Sequence, residues 1–399
     1  MESKVSFDNT GKAFLMKDDH QLKHSLRLFK LIHNPFVVRV GSKLAVFALK
    51  LGLPVKGLIR NTIFNQFCAG EDLIESHKVV TDLSKYKVGS ILDYSAEGSG
   101  RIEDFERTAN EISKIIEIAS KDDSIPYTCL KMTGIISHSL LEKKNSNESF
   151  TEQEEKEFES AKGRLAFICE AAEFRNVPIY IDAEESWIQD AIDSLTEEMM
   201  WKHNRKFAIV NTTLQMYRHD RIEYLKDLIA TGRKNNCFIG VKLVRGAYLE
   251  KENKRAIDMG YATPILPDKY STDRDFNLAI DLCLKNIDVV TLCAGTHNEE
   301  STMYLLNKMK EMGLENNDKR IYCSQLYGMS DHISFNLADA GYNVTKYLPY
   351  GPINTVLPYL IRRAEENSAI AGQMGRELRL LQEEKKRRVE TLLLASPGK

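Results

Sequence analysis

After Gly70 the chain alternates between two kinds of segment. Short apolar runs rich in β-branched residues end in polar residues, and each is followed by a longer stretch whose apolar positions recur at helical spacing. Eight such runs predict strands: GSILDYSAEG from Gly89, YTCLKMTG from Tyr127, VPIYIDAEE from Val177, KFAIVNTTLQ from Lys206, FIGVKLVRGAY from Phe238, DVVTLCAGTHN from Asp288, RIYCSQLYG from Arg320 and NVTKYLPYG from Asn343. Eight β–α units over roughly 280 residues are the signature of a (β/α)8 barrel, for which about 250 residues is usual. A doubly wound open sheet has fewer strands and often a glycine-rich first turn. Neither GxGxxG nor a Walker-type GxxxxGKS or GxxxxGKT occurs in the chain. The expected fold is therefore α/β, a TIM-like (β/α)8 barrel.

The flanks differ from this rhythm. Residues 1–87 read as a helical arm broken at Pro35 and Pro54, residues 88–370 as the barrel, and residues 371–399 as a charged helix. That tail, with GRELRLLQEEKKRRVETLLL, places opposite charges at i,i+4 and reads as a solvated surface helix. LEKKNSNESFTEQEEKEFESAKGR, from Leu141, reads as a solvated linker entering a charged helix.

In a barrel the C-terminal strand ends converge on one mouth, where active sites are built. The polar residues at those ends are Glu97, Lys131, Asp182, Gln215, Arg245, His297, Gln325 and Tyr347. Strand five is the most telling. VKLVRGAYLEKE, from Val241, carries Lys242 and then Arg245, Gly246, Ala247 and Tyr248 out of an apolar run. After strand eight, KYLPYGPINTVLPYLIRRAEEN turns at Pro349–Pro352 and becomes a helix. On it Tyr359, Arg362, Arg363 and Glu366 fall at i, i+3, i+4 and i+7, on one face. Guanidinium forks bind carboxylates bidentately, and an aromatic face covers an apolar ring, so this face suits a small ring-bearing carboxylate. The alternative for an Arg–Arg pair on a helix is a solvated surface pair.

Composition narrows the classes. The chain has 399 residues, 43% hydrophobic and 28% charged, with net charge −2, as in an ordinary soluble globular protein. No overall basic field points to nucleic acid. Seven scattered cysteines, an odd number without a CxxC pair, argue for reduced thiols. No HxH or similar rim cluster of metal ligands is present, so no metal is expected. The N-terminus MESKVSFDNTGKAF lacks the apolar core of a secretory signal. A cytoplasmic location is expected, with peripheral contact on the inner face of a membrane.

VKLVRGAYLEKE, the IDAEE run at Ile181, GTHN at Gly295 and YLIRRAEEN at Tyr359 together resemble the single-function, flavin-dependent proline dehydrogenases. The resemblance covers roughly Gly89 to Asn367, and more loosely the arm with FCAGED at Phe67. It implies a distorted barrel that binds FAD and oxidises L-proline to Δ1-pyrroline-5-carboxylate, with electrons passed to a membrane quinone. By this resemblance Arg362 and Arg363 bind the proline carboxylate, with Lys131 the remaining cation nearby. Tyr347 and Tyr359 pack on the pyrrolidine ring, with Leu243 beneath and Tyr248 beside it. Asp182 pairs with one arginine and Glu97 with the other, and Glu366 orients the same helix face. Ala183, Gln215, Lys242, Arg245, Gly246, Ala247, Thr296 and His297 hold the flavin, and Asp182 and Lys242 are the catalytic candidates. Two departures stand out. Many relatives have arginine where Lys242 stands, and NTTLQMY is one residue off the commoner spacing, which leaves Asn211, Thr212 or Gln215 as the flavin contact. A hydroxyproline dehydrogenase is the alternative within the family; Tyr347, where a smaller residue would make room for a hydroxyl, favours proline.

From Gln21 to Gly70 there is no Asp or Glu, yet there are eight cations, Lys23, Arg27, Lys30, Arg39, Lys43, Lys50, Lys56 and Arg60. Basic amphipathic segments of this kind lie on anionic membrane surfaces. The alternative is that the arm packs on the acidic remainder of the chain.

Overall fold

The computed structural model describes residues 5–51, 53–95, 101–369 and 371–395, without the side chains at 35, 50, 365–369, 371–374 and 395. Eight strands form a closed barrel in chain order: β1 (Gly89–Tyr94), β2 (Tyr127–Lys131), β3 (Ile179–Asp182), β4 (Val210–Gln215), β5 (Ile239–Val244), β6 (Val290–Gly295), β7 (Ile321–Leu326) and β8 (Val344–Tyr350). Each lies within one of the eight runs expected from the sequence. Pairing is parallel, with Thr213 opposite Lys242 and Lys131 opposite Asp182.

Strand alternation decides which side chains enter the barrel. Tyr127 stacks on Tyr180 with centroids 4.7 Å apart and meets Tyr322 edge-on at 5.0 Å. β2 and β7 are not neighbours, so the second contact crosses the lumen and fixes the inward face of β2. Below the mouth the barrel is filled. A Cβ at Gly240 would lie 1.7 Å from Asn211 Oδ1, so only glycine lets the Asn211 amide occupy that position. Asn211 Nδ2 donates to the carbonyls of Ile209 and Ile179 at 2.9 and 3.2 Å.

Local signals set the helix ends. Thr151 and Glu154 form a reciprocal capping box that starts the helix Glu152–Arg175, and Asn176 ends it in a left-handed conformation. In the arm, α1 spans Thr10–Ala13, α2 Asp19–Ile32 and α3 Pro35–Lys50. Pro35 opens α3 behind the Asn34 cap, so this break is a helix start.

The chain divides into two compact units, one of Met1–Ser90, Ser95–Glu97 and Gln325–Lys399, the other of Ile91–Tyr94 and Gly98–Ser324. In the first, Leu22, Phe29 and Ile32 of α2 share a core with Val356 and Leu360 of the helix Ile353–Ala369 and with Leu380 and Leu381 of the helix Ala371–Ala395. The expected solvated tail is thus corrected. Leu380 and Leu381 are fully buried, and Glu384 is buried against Arg387 and Arg388, each 2.7 Å away. The i,i+4 charges dominate the sequence pattern there and conceal a narrow apolar stripe. All seven cysteines are free and buried. Among the described residues no helix is long and apolar enough to cross a membrane.

Candidate active site

Four charged side chains alternate in sign along the inward faces of β1, β2, β3 and β5, the last pair reaching across β4. Asp93 on β1 accepts from Lys131 Nζ on β2 at 2.9 Å. Lys131 is in register with Asp182 on β3, and Asp182 accepts from Lys242 Nζ on β5. The Lys242 ammonium also lies 5.0 Å from the centre of the Tyr180 ring. Burial alone would lower both lysines, but the facing carboxylates win. Asp93 and Asp182 raise Lys131 above the ordinary lysine value, and Asp182 does the same for Lys242. Both therefore stay cationic through the physiological range.

Beside this row, Glu184 accepts from the amide of Thr133 at 2.9 Å and from its hydroxyl. It thereby fixes the turn that follows Lys131. Burial pushes the Glu184 carboxyl up to about 7, against those two hydrogen bonds. Gln215 ties the next two strand ends together. Its Nε2 donates to the Glu184 carbonyl at 2.7 Å and its Oε1 accepts from the Ala247 amide at 3.1 Å. Ala183 is half-buried between Asp182 and Glu184.

After β5 the backbone turns sharply. Gly246 has φ 142°, and a Cβ there would sit 2.5 Å from the Tyr217 ring, so both space and conformation demand glycine. Arg245 is held by Asp273 Oδ1 at 2.7 Å, Ser301 Oγ at 2.9 Å and Thr296 Oγ1, with Phe276 beneath its guanidinium at 4.5 Å. Burial lowers its pKa, although Asp273 opposes this. Thr296 and the half-buried His297 directly precede Asn298, which caps the helix Glu299–Glu311. Tyr248 opens the helix Leu249–Met259. Leu243 requires a correction. It is fully buried, but it alternates with the inward-facing Lys242 and so lies on the helix side of the sheet, not beneath a ligand at the mouth.

The other compact unit carries the remaining candidates. On β8, Lys346 is fully buried and reaches Asp331 at 2.9 Å and the Met329 carbonyl at 2.5 Å, outside the strand's inner face. Alternation puts Tyr347, nearly buried, on the inner side. On the helix Ile353–Ala369, Arg363 is buried and its guanidinium stands 5.2 Å from the centre of the Tyr359 ring, while Arg362 is half-buried. The pair is therefore not a solvated one. Glu97 lies outside the described residues, as does the side chain of Glu366.

The residues around β4 to β6 fit an anionic, acceptor-rich cofactor. They include the Lys242 ammonium, the Arg245 guanidinium and the buried Thr213 hydroxyl opposite Lys242, which has no hydrogen-bond partner among the described residues. Three groups escaped the sequence reading: Asp93, Glu184 and Lys346. A carboxylate amid the apolar ILDY run, at inward parity, was the available signal for Asp93.

Residues 76–376 match the model of the family described as proline dehydrogenase. The chain belongs to the proline dehydrogenase family. Proline dehydrogenase 1, mitochondrial, of Dictyostelium discoideum is 32% identical over 433 aligned residues, covering 97% of this chain and 76% of that protein. The hydroxyproline dehydrogenase of Xenopus laevis is 31% identical, covering 96% of this chain and 90% of its own length. Among solved structures, proline utilization A (PutA) of Bdellovibrio bacteriovorus superposes with a TM-score of 0.70 at 20% identity, over 92% of this chain and 39% of that longer one. At that identity the likeness shows the barrel fold. Membership makes this chain an oxidoreductase acting on proline.

Proposed function

We propose that the chain oxidises L-proline to Δ1-pyrroline-5-carboxylate with FAD as its cofactor, and that the electrons pass on to a membrane quinone. What carries this reading is the family match over residues 76–376, which spans every residue assigned a role. FAD, when bound, supplies the hydride acceptor that no side chain can provide.

The chain's own residues supply position and charge. Arg362 and Arg363 grip the substrate carboxylate as paired forks, with Lys131 adding a third positive charge. Tyr347 and Tyr359 cover the pyrrolidine ring, and Tyr248 flanks it. Fixing the carboxylate at one end aims the ring carbon that must lose hydride, which turns a two-body encounter into a local step. The cations around the substrate disfavour a protonated ring amine, so nitrogen keeps the lone pair needed to form the imine. Asp182 orients Lys242, and Lys242 presents its charge toward the cofactor. Ala183, Gln215, Gly246, Ala247, Thr296 and His297 line the cofactor's path, and Arg245 supports Thr296. Glu97 and Glu366 complete the arginine contacts.

A second reading, oxidation of hydroxyproline, is favoured by the match to the Xenopus laevis enzyme named for that substrate. Tyr347 argues for proline, because its bulk competes with a ring hydroxyl. Steady-state reduction of an artificial electron acceptor with each imino acid, with the cyclic imine product trapped by an aromatic amino-aldehyde, tests both. Proline turnover at least tenfold above hydroxyproline is expected. No turnover of either by flavin-loaded protein would remove the proposal.

A further inference from the structure

Helix α3 has two apolar faces. At 100° per residue, Val38, Ala45, Val46 and Leu49 fall on one side and pack on the core shared with α2. Phe36, Val40, Leu44, Phe47 and Leu51, spaced by four, four, three and four residues, fall on the other. A globular helix ordinarily shows water a polar outer face. Here the outer stripe is 72% exposed at Phe36, 61% at Leu44 and Phe47, 59% at Leu51 and 39% at Val40. Four turns of exposed large apolar side chains need an occupant.

Charge selects it. The exposed Arg39 and Lys43 run along one edge of the stripe, and Lys56 is exposed a few residues beyond its end. No carboxylate occurs between Gln21 and Gly70, although the chain as a whole is slightly acidic. An apolar stripe on a helix whose only charged residues are cations matches the boundary between anionic headgroups and acyl chains, where lysine and arginine stems lie along the apolar surface and their heads meet phosphates. By contrast α2, equally cationic, buries Leu22, Leu26, Phe29 and Ile32 in the core.

We propose that α3 is a membrane-docking helix that lies flat in the interface of an anionic phospholipid surface, with Phe36, Val40, Leu44, Phe47 and Leu51 inserted. This deepens the proposed transfer of electrons to a membrane quinone and rests on it for its purpose, though its evidence is the helix itself.

The test uses the full flavin-loaded chain. Co-sedimentation is measured with vesicles of phosphatidylcholine containing phosphatidylglycerol, and with phosphatidylcholine alone. Binding to the anionic vesicles is expected, at least tenfold weaker to the neutral ones, and at least tenfold weaker again for the Phe36→Glu/Phe47→Glu double variant. Proline turnover in solution should stay unchanged in that variant, so a failed docking surface is distinguishable from a failed catalytic reading. Where the double variant does not fold, Phe47→Trp serves instead, and brominated acyl chains should quench its added fluorescence. Equal binding to both vesicle types, full binding by the folded double variant, or no quenching overturns the proposal. So does a dimer that the double variant disperses while neither form binds vesicles, which would make a second copy the occupant.

Discussion

The Lys131 ammonium lies 2.9 Å from Asp93 Oδ2, and its register partner on the next strand is Asp182. A lysine set between two carboxylates is held charged and aimed by them, so on the proposed reading Asp93 is a positioning residue that acts on the substrate through Lys131. Removing one member of a fully buried ion pair costs about 3–5 kcal/mol. Lys131 is 27% exposed, which screens part of this. Asp93→Asn should therefore destabilise the protein by roughly 1–3 kcal/mol in urea unfolding. It should also raise KM for proline more than it lowers kcat, because the cation is displaced and the rest of the site is kept.

Lys242 and Asp182 form the more deeply buried pair, with side chains 6% and 13% exposed. Lys242→Met leaves a buried carboxylate without its ammonium and should cost about 3–5 kcal/mol. The double variant Asp182→Asn/Lys242→Met removes both charges and should recover much of that stability while turnover stays depressed. A double-mutant cycle in denaturant, run beside turnover assays, separates the two roles. Turnover that recovers along with stability would make the pair structural only.

Glu184 gives a pH signature. Its carboxyl is raised from an ordinary 4.5 to about 7 in the folded protein, chiefly by burial. The folded state then holds a proton that the unfolded state has released across that interval, so this group's contribution is complete below pH 4.5 and is lost as pH rises through about 7. Over this window the loss is on the order of 3 kcal/mol. Glu184→Gln should abolish this slope, seen as a stability difference from wild type that changes between acidic and neutral pH. Parallel stability curves for the two proteins would contradict it.

The barrel was legible because each strand announces itself as a short β-branched run with a polar end, and all eight do so. Lys131 and Asp182 were legible as charges at those ends, and Lys242 as a cation interrupting the apolar run of strand five. What escaped depended on three-dimensional partners. Asp93 reads as an interruption in ILDY until its parity with Lys131 is known. Lys346 sits beside Tyr347 in sequence, yet it points outward to a buried pairing with Asp331. Leu243 was misassigned because its neighbour Lys242 faces the mouth, and adjacent strand residues cannot both do so. The tail helix was misread because surface charges outnumber the two leucines that anchor it.

On the proposed reading, the guanidinium pair on the helix Ile353–Ala369 holds the substrate carboxylate. Arg363 is already partly desolvated, with its planar group near the Tyr359 ring, so a lysine cannot reproduce both the stacking and the fork. Arg363→Lys should lower kcat/KM for proline by at least about tenfold, the cost of one charge-assisted hydrogen bond. Flavin content should be unaffected.

Anaerobic titration of the flavin-loaded protein with L-proline is the most direct measurement of all. The visible flavin absorbance should bleach as proline is added, and the concentration needed should rise at least about a hundredfold in Arg362→Met/Arg363→Met at equal flavin content, as two charge-assisted contacts are lost. Wild-type absorbance that persists at saturating proline, or bleaching that is indifferent to both arginines, would contradict the assignment of this chain's site.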